Sequence, residues 1–282
     1  MTLHKRLQQP LVSGELPSEV LSALGRWLLH HTHLELAGER LELVEIELYG
    51  YGPGHADPFA HRHPSQSTAG RWYLHRTGSG FRSGSFKGLD LTFGPSDTWG
   101  GVLIRALRLP SGMLVSGPSL CVDLILDRLG VAHPRDLHDM IWPHPVDAAA
   151  QPLRLAIHEP TTCPIWWTAR VGLTLKRAAD HPTMPHWLLK PYRALTAPRE
   201  IKKGRVYLVA ALLQAGQDAA SISALTGSSK SSIRKAEALL TAGVALGGEV
   251  KAFEKFIGQG LSAVDLYQMH GLWKALSVRR SQ

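Results

Sequence analysis

Residues 44–49, Val-Glu-Ile-Glu-Leu-Tyr, constrain this chain more than any other stretch. Their period-two alternation places Val44, Ile46 and Leu48 on one side of an extended strand and Glu45, Glu47 and Tyr49 on the other. The aliphatic side has to be buried against a core. The opposite side gathers two carboxylates and a phenol, which a plain core strand tolerates poorly and the wall of a pocket requires.

The flanking sequence predicts what surrounds this strand. Ser18 caps a helix whose apolar residues Val20, Leu21, Leu24, Trp27 and Leu28 recur at helical spacing. Residues 34–43 alternate around Gly38, as a hairpin into the 44–49 strand would. Residues 50–67, rich in Gly, Pro and His without a period, read as a loop around a pocket mouth. Trp72, Tyr73 and Leu74 begin a strand that Gly78 and Gly80 break, and a glycine-punctuated ribbon follows from Phe81 to Phe93. Two further strands are expected at 102–109, with Arg105 in its middle, and at 113–115. A helix then opens at Pro118 and closes at Gly130. In residues 131–168 only a strand at 153–157 is legible.

With 282 residues the chain can bury one large core or two modest ones, so a main domain with an appendage is expected. No run of about eighteen apolar residues occurs, and residues 1–10 carry charge without an apolar segment, so neither a membrane span nor a secretory leader is expected. Two cysteines, Cys121 and Cys163, argue against a disulfide framework and fit a reducing cytoplasm, with a DNA partner placing the protein at the nucleoid of a bacterium or in the nucleus of a eukaryote. The formal charge of +8 is unevenly spread: residues 1–169 hold 14 Lys and Arg against 16 Asp and Glu, and residues 170–282 hold 17 against 7. Solubility explains a net charge but not this segregation, which points to a nucleic-acid partner.

The basic part also has a pattern. Residues 202–215 are helical, and residues 218–226, Gly227 and residues 229–242 have the form of a helix-turn-helix, with Ile222, Leu225 and Ile233 facing inward. Lys230, Arg234 and Lys235 would then lie at the start of a recognition helix. A last helix over 250–276 is expected to break near Gly258 and Gly260.

Taken in order, the Glu45-x-Glu47-x-Tyr49 strand, Ala60-His61, the aromatic hairpin, Leu103 to Leu107 with Arg105, Gly117-Pro118-Ser119-Leu120-Cys121, Ala169 to Leu173 and Pro191-Tyr192-Arg193 resemble the alkyladenine (3-methyladenine) DNA glycosylase family over roughly residues 20–195. The resemblance implies an α+β fold with a largely antiparallel sheet and flanking helices over 1–198, followed by the basic helical domain at 199–282. It implies a monofunctional hydrolase that flips a damaged purine out of double-stranded DNA and cleaves its N-glycosidic bond, with no cofactor beyond water. By motif position Glu47 activates the water, Arg105 helps hold it, Tyr49 and His61 contact the base, and Phe86 is the wedge that fills the gap in the duplex. Ser83 and Phe93 occupy base-side positions where the family has tyrosine and asparagine, and Ala194 stands for an aromatic. Arg82 and Lys87 on the ribbon are expected at phosphates, as are the three tail cations.

Other readings share these residues. Glu45, Glu47 and Arg105 also suit a purely structural buried ion cluster. His55, Asp57, His61, His63 and His75 crowd together in sequence, but no helical ligand pair occurs, and no metal is expected. A non-catalytic DNA-binding protein on the same scaffold, or a hydrolase of free nucleosides, would use the same strand.

Overall fold

The computed structural model describes Leu3, Leu7 and residues 18–94, 97–181, 183–247 and 250–280. Most of residues 1–10, read above for a leader, lie outside these. The chain divides into two compact units: Met1–Ile165 with Ala194–Thr196, and Trp166–Arg193 with Ala197–Gln282. The segment Trp166–Arg193, assigned by sequence to the first domain, therefore belongs with the helical unit. The division coincides with the charge segregation, since the first unit is slightly acidic and the second carries the basic excess.

The first unit opens with α1 (Ser18–His31), which has Glu19 in its first turn and His30 and His31 in its last, where each suits the helix dipole. It buries Leu21, Leu24, Leu28 and Leu29. Next come β1 (Thr32–Leu36), β2 (Glu39–Gly52), β3 (His55–Ala56), β4 (Trp72–Leu74), β5 (Arg76–Thr77), β6 (Gly80–Phe81), β7 (Leu89–Phe93), β8 (Trp99–Arg108) and β9 (Leu114–Ser116). Helices α2 (Pro118–Leu129) and α3 (Pro134–Ile141) precede β10 (Leu153–Ile157). The main antiparallel path runs β10-β1-β2-β8-β7-β4, with β3 on β2 and β9 on β8, while β5 and β6 form a separate hairpin. The coarse α+β expectation with an antiparallel sheet thus describes this unit.

The two faces of the sheet differ in chemistry. Ladder partners share a face, so Leu48, Val102, Leu91 and Trp72 form one row across four strands. Ile46 with Ile104, and Gly50 with Gly100 and Phe93, extend that apolar face. The alternate rows read Glu47, Leu103, Asp90, Tyr73 and then Tyr49, Gly101, Thr92. The polar face predicted for one strand therefore continues over its neighbours.

Helix α3 was not legible in the sequence. Pro134 starts it, Asp136 Oδ2 accepts from the His133 N–H at 3.1 Å, and Leu137 and Ile141 are buried. The short apolar set, only one residue per turn, hid its period among prolines and histidines.

The second unit holds β11 (Trp166–Thr168), α4 (Met184–Leu188), α5 (Arg205–Gln214), α6 (Ala219–Thr226), α7 (Lys230–Ala245) and α8 (Ala263–Arg280). Asp218 caps α6 through the N–H groups of Ala220 and Ser221, Gly227 turns at φ 71°, and Ser229 Oγ accepts from Ser232 N–H to start α7. Helices α7 and α8 cross with their backbones nearly touching: a Cβ on Gly243 would lie 2.0 Å from Gln268 O, and one on Gly271 2.0 Å from Leu240 O. The last helix breaks as expected, with a 3₁₀ turn at Val250–Phe256 before α8.

Arg170 and Arg193, from the closing motifs, are fully buried in this unit. The Arg193 guanidinium donates to Gly204 O and Lys203 O, each at 3.1 Å, and Arg170 Nη2 donates to Trp187 O at 3.3 Å. Both act as internal staples of irregular backbone.

On α8, His270 is 3% exposed, and neither ring nitrogen has a hydrogen-bond partner among the described residues. Burial lowers its pKa from the ordinary 6.5 to about 4, so the folded state keeps the ring neutral where the unfolded chain would protonate it. The associated stability is fully present above pH 6.5 and is lost as pH falls toward 4, by about 3 kcal/mol in total. Replacing His270 with Leu should flatten the acid limb of thermal stability between pH 7 and 4, followed by circular dichroism; an unchanged limb would contradict this account.

Candidate functional site

Two compensating irregularities interrupt the ladder at the acidic face of β2. Leu43 faces Leu107, Glu45 faces Ala106 and Ile46 faces Ile104, so Val44 is the extra residue on β2 and Arg105 the extra residue on β8. Bulged carbonyls leave the ladder and need other donors. Thr196 N–H donates to Val44 O at 3.0 Å, and Gly117 N–H donates to Arg105 O at 2.7 Å. Gly117 holds φ 130°, a conformation that favours glycine, which gives the Gly-Pro-Ser helix start a structural reason.

Arg105, in phase with Leu103 along β8, meets the two carboxylates. Its Nε donates to Glu45 Oε1 at 2.9 Å, and its Nη1 lies 3.3 Å from Glu47 Oε2. The same Glu47 oxygen accepts from the Tyr49 hydroxyl at 2.8 Å. All three charged side chains are buried, Glu47 completely, while Tyr49 is half-buried. Burial alone would lower the Arg105 pKa, but the flanking carboxylates of Glu47 and Glu45 outweigh it and raise the pKa further, so the guanidinium stays charged. Cys121, on α2, lies within the field of Glu45. Burial first, and that carboxylate second, push its thiol up to about 12, so it is no nucleophile at neutral pH.

Farther along the same face is a second polar group, which sequence reasoning did not assemble. Asp90, paired with Leu103 on one side and Tyr73 on the other, accepts from His75 Nε2 at 2.7 Å and from Gln66 Nε2 at 3.0 Å. Gly101 makes room for this arrangement, since a Cβ there would lie 2.6 Å from Asp90 Oδ2 and 2.9 Å from Gln66 Nε2. His61 joins this end: its ring centroid is 4.3 Å from that of His75 and 6.0 Å from Tyr73, and His63 stacks on Tyr73 at 5.3 Å. Burial, then His75, lowers the His61 pKa to about 4, and its buried Nδ1 has no hydrogen-bond partner among the described residues. The signal for Asp90 was present as an acid at the polar phase of Leu-Asp-Leu.

The ribbon residues fall elsewhere. Phe86 sits on a 3₁₀ turn, Gly84–Phe86, and is 73% exposed; Ser119 Oγ from the start of α2 donates to Gly84 O at 2.7 Å and braces the turn. Arg82 and Ser83 line an open groove with Phe86. Lys87 is engaged internally, its Nζ 2.9 Å from Asp123 Oδ1 and donating to Gly84 O at 2.7 Å. Phe93 lies on the apolar face, fully buried against Gly100, because it shares the phase of Leu89 and Leu91; the base contact expected of it is set aside. Lys230, Arg234 and Lys235 are all exposed on the first turns of α7. The structure thus groups Glu45, Glu47, Tyr49 and Arg105, places His61 with Tyr73, His75 and Asp90, and gathers Arg82, Ser83 and Phe86 in a groove. Among the described residues no group of three or more His, Cys, Asp or Glu side chains is arranged to hold a metal, and no helix is long and apolar enough to cross a membrane.

No family model matches the chain. It is 33% identical over 130 residues to an uncharacterized protein of Acanthamoeba polyphaga mimivirus, an alignment covering 41% of this chain and 60% of that protein. The similarity carries no assigned activity with it.

Removing Arg105 would leave two buried carboxylates without their guanidinium. Arg105→Met is expected to cost about 3–5 kcal/mol in urea unfolding, and adding Glu45→Gln and Glu47→Gln should restore much of that loss. A single variant as stable as the parent would show that the carboxylates find compensation elsewhere.

Proposed function

We propose that this protein is a monofunctional DNA glycosylase-like hydrolase that extrudes a damaged purine from double-stranded DNA and hydrolyses its N-glycosidic bond, acting where the genome is held. What carries the reading is the buried Glu47 carboxylate on a polar sheet face, held between the Arg105 guanidinium and the Tyr49 hydroxyl. In the proposed reaction Glu47 takes a proton from water as the oxygen adds to C1′ of the sugar. The bond from C1′ to the base nitrogen breaks with its electrons going to the base: a purine made cationic by alkylation leaves neutral, and a deaminated purine leaves as an anion that takes a proton from solvent. The carboxylate also faces the cationic character that builds on the sugar, and a dry site strengthens that attraction. Arg105 and the Tyr49 hydroxyl hold the Glu47 carboxylate in place, and Tyr49, half-buried beside it, offers a ring for the extruded base. His61, with a neutral ring and an unpartnered nitrogen, suits hydrogen bonding to a base edge.

A second reading, a DNA-binding protein without catalysis, is favoured by the capped pair α6 and α7, which exposes Lys230, Arg234 and Lys235 at the start of the second helix. The readings part on one comparison. The parent protein and Glu47→Gln are incubated with labelled duplexes carrying alkylated or deaminated purines, then treated with alkali to reveal abasic sites. The parent is expected to give strand breaks, and Glu47→Gln is expected to bind equally well while losing base release by at least about 100-fold. Full activity in the variant would sink the assignment of Glu47. Binding with no abasic product from any duplex would favour the second reading.

A further inference from the structure

The loop that follows β3 contains one backbone outlier. Arg62 holds φ 52°, in the left-handed region, where a residue with a side chain persists only if its surroundings fix it. They do so on both sides. Before it, Ala60 N–H donates to Asp57 O at 3.2 Å; after it, His63 N–H donates to Gln66 Oε1 at 3.3 Å, and Gln66 Nε2 is anchored on Asp90 Oδ2 at 3.0 Å. The rings of its two neighbours, His61 and His63, both pack on Tyr73. The Arg62 side chain goes instead to Tyr51, its guanidinium carbon 4.7 Å from the ring centroid. Strain of this kind collects at functional sites, and here it delivers an exposed cation.

What that cation meets is the far end of the polar face. Tyr51 follows Glu47 and Tyr49 at two-residue steps along β2 and faces Trp99 in the ladder, the two half-buried rings meeting edge to face at 5.9 Å. A guanidinium stacked over a ring keeps its N–H donors in its own plane, pointing outward. Among the described residues none of these donors has a hydrogen-bond or ion-pair partner, and neither has the Tyr51 hydroxyl or the Trp99 Nε1–H. Asp97, on the turn before Trp99, is exposed and makes no ion pair with Arg62. A guanidinium and an indole can only donate, and a phenol can donate as well. Three donor groups with no acceptor of their own suit a group that only accepts, as the oxygens of a phosphodiester do.

We propose that Arg62, with Tyr51 and Trp99, holds a backbone phosphate of the strand beside the extruded nucleotide. From Glu47 to Tyr51 the extended strand β2 covers about 14 Å, at roughly 3.4 Å per residue. The phosphate is therefore met past the reacting sugar, on the same face. For the proposed reaction this makes the substrate a polynucleotide rather than a free nucleoside, which ends short of the site. The site rests on the reading of this chain as a nucleic-acid protein, but it does not require glycosidic hydrolysis.

The test measures binding of the full-length protein, across salt concentrations, to a labelled duplex carrying one tetrahydrofuran abasic-site analogue, which keeps the phosphates and lacks the base. Arg62→Gly should weaken binding about tenfold, as loss of a hydrogen bond between charged groups does, and reduce the salt slope by about 0.9, the value for one phosphate of a duplex. Its melting temperature should not fall, because glycine adopts the left-handed conformation without strain. A merely structural arginine would give the opposite pattern, a lower melting temperature with an unchanged slope. Arg62→Lys should keep the slope and lose part of the affinity, and Trp99→Phe should lose affinity alone. The same differences are expected in the Glu47→Gln background and in the Lys230→Ala/Arg234→Ala/Lys235→Ala background. Unchanged affinity and slope in Arg62→Gly would overturn the site, as would inorganic phosphate competing as well as the duplex, which would mark a site for a free anion. No binding of the parent to any duplex would overturn it together with the nucleic-acid reading. Failure to release any base, with these differences intact, would remove the hydrolysis and leave the site.

Discussion

The contact of Arg105 with Glu45 and Glu47 is the constraint to which the rest of the first unit is fitted. Three ionised side chains can be buried together only if each finds its partner, because an isolated charge in that environment would cost several kcal/mol. The ladder on either side of the cluster, Leu43 with Leu107 and Ile46 with Ile104, keeps one register, and in it Arg105 has the phase of Leu103 and so shares the face of the carboxylates. Within that stretch the pairing is locally irregular, and the carbonyls of Val44 and Arg105 accept from Thr196 and from Gly117. The strand segment that carries the ion cluster thereby also ties in a helix start and a distant segment of the chain.

From that point the sheet is organised by the separation of its faces. The aliphatic rows give the unit its core, so the polar rows can hold groups that a small domain would otherwise exclude. Asp90 illustrates the cost of that arrangement: it is nearly completely buried and satisfied by His75 and Gln66, with Gly101 leaving the space both need. The two polar groups on this face are of different character. The Glu47 end sets two carboxylates against a guanidinium, while at the other end the His61 ring, its pKa lowered by burial, includes a nitrogen with no hydrogen-bond partner among the described residues.

Much of this was legible in the sequence, for identifiable reasons. The 44–49 strand, the Gly38 hairpin, the Pro118 helix and the Gly227 turn follow from strict periodicity or from residues with few conformational options. That Arg105 pairs with Glu45 or Glu47 followed from the cost of burying a guanidinium, and the structure has it on both. What escaped was set by long-range register. No local signal indicates that Asp90 shares a face with Glu47, or that Phe93 turns to the opposite one; both depend on which strand lies between them. Lys87, expected at a phosphate, is engaged instead by Asp123, which α2 brings beside it. Helix α3 was obscured by a composition of prolines and histidines around a very short apolar set.

The crossing of α7 and α8 has a consequence for how this chain can vary. Most tight contacts in a protein set a side chain against a side chain, so growth on one partner can be offset by shrinkage on the other. At Gly243 and Gly271 each missing side chain would meet the main chain of the opposite helix, which every amino acid shares. No compensating substitution exists for either position. While exposed cations on α7 can be exchanged or moved along the helix, the two glycines are tied to one another through the crossing.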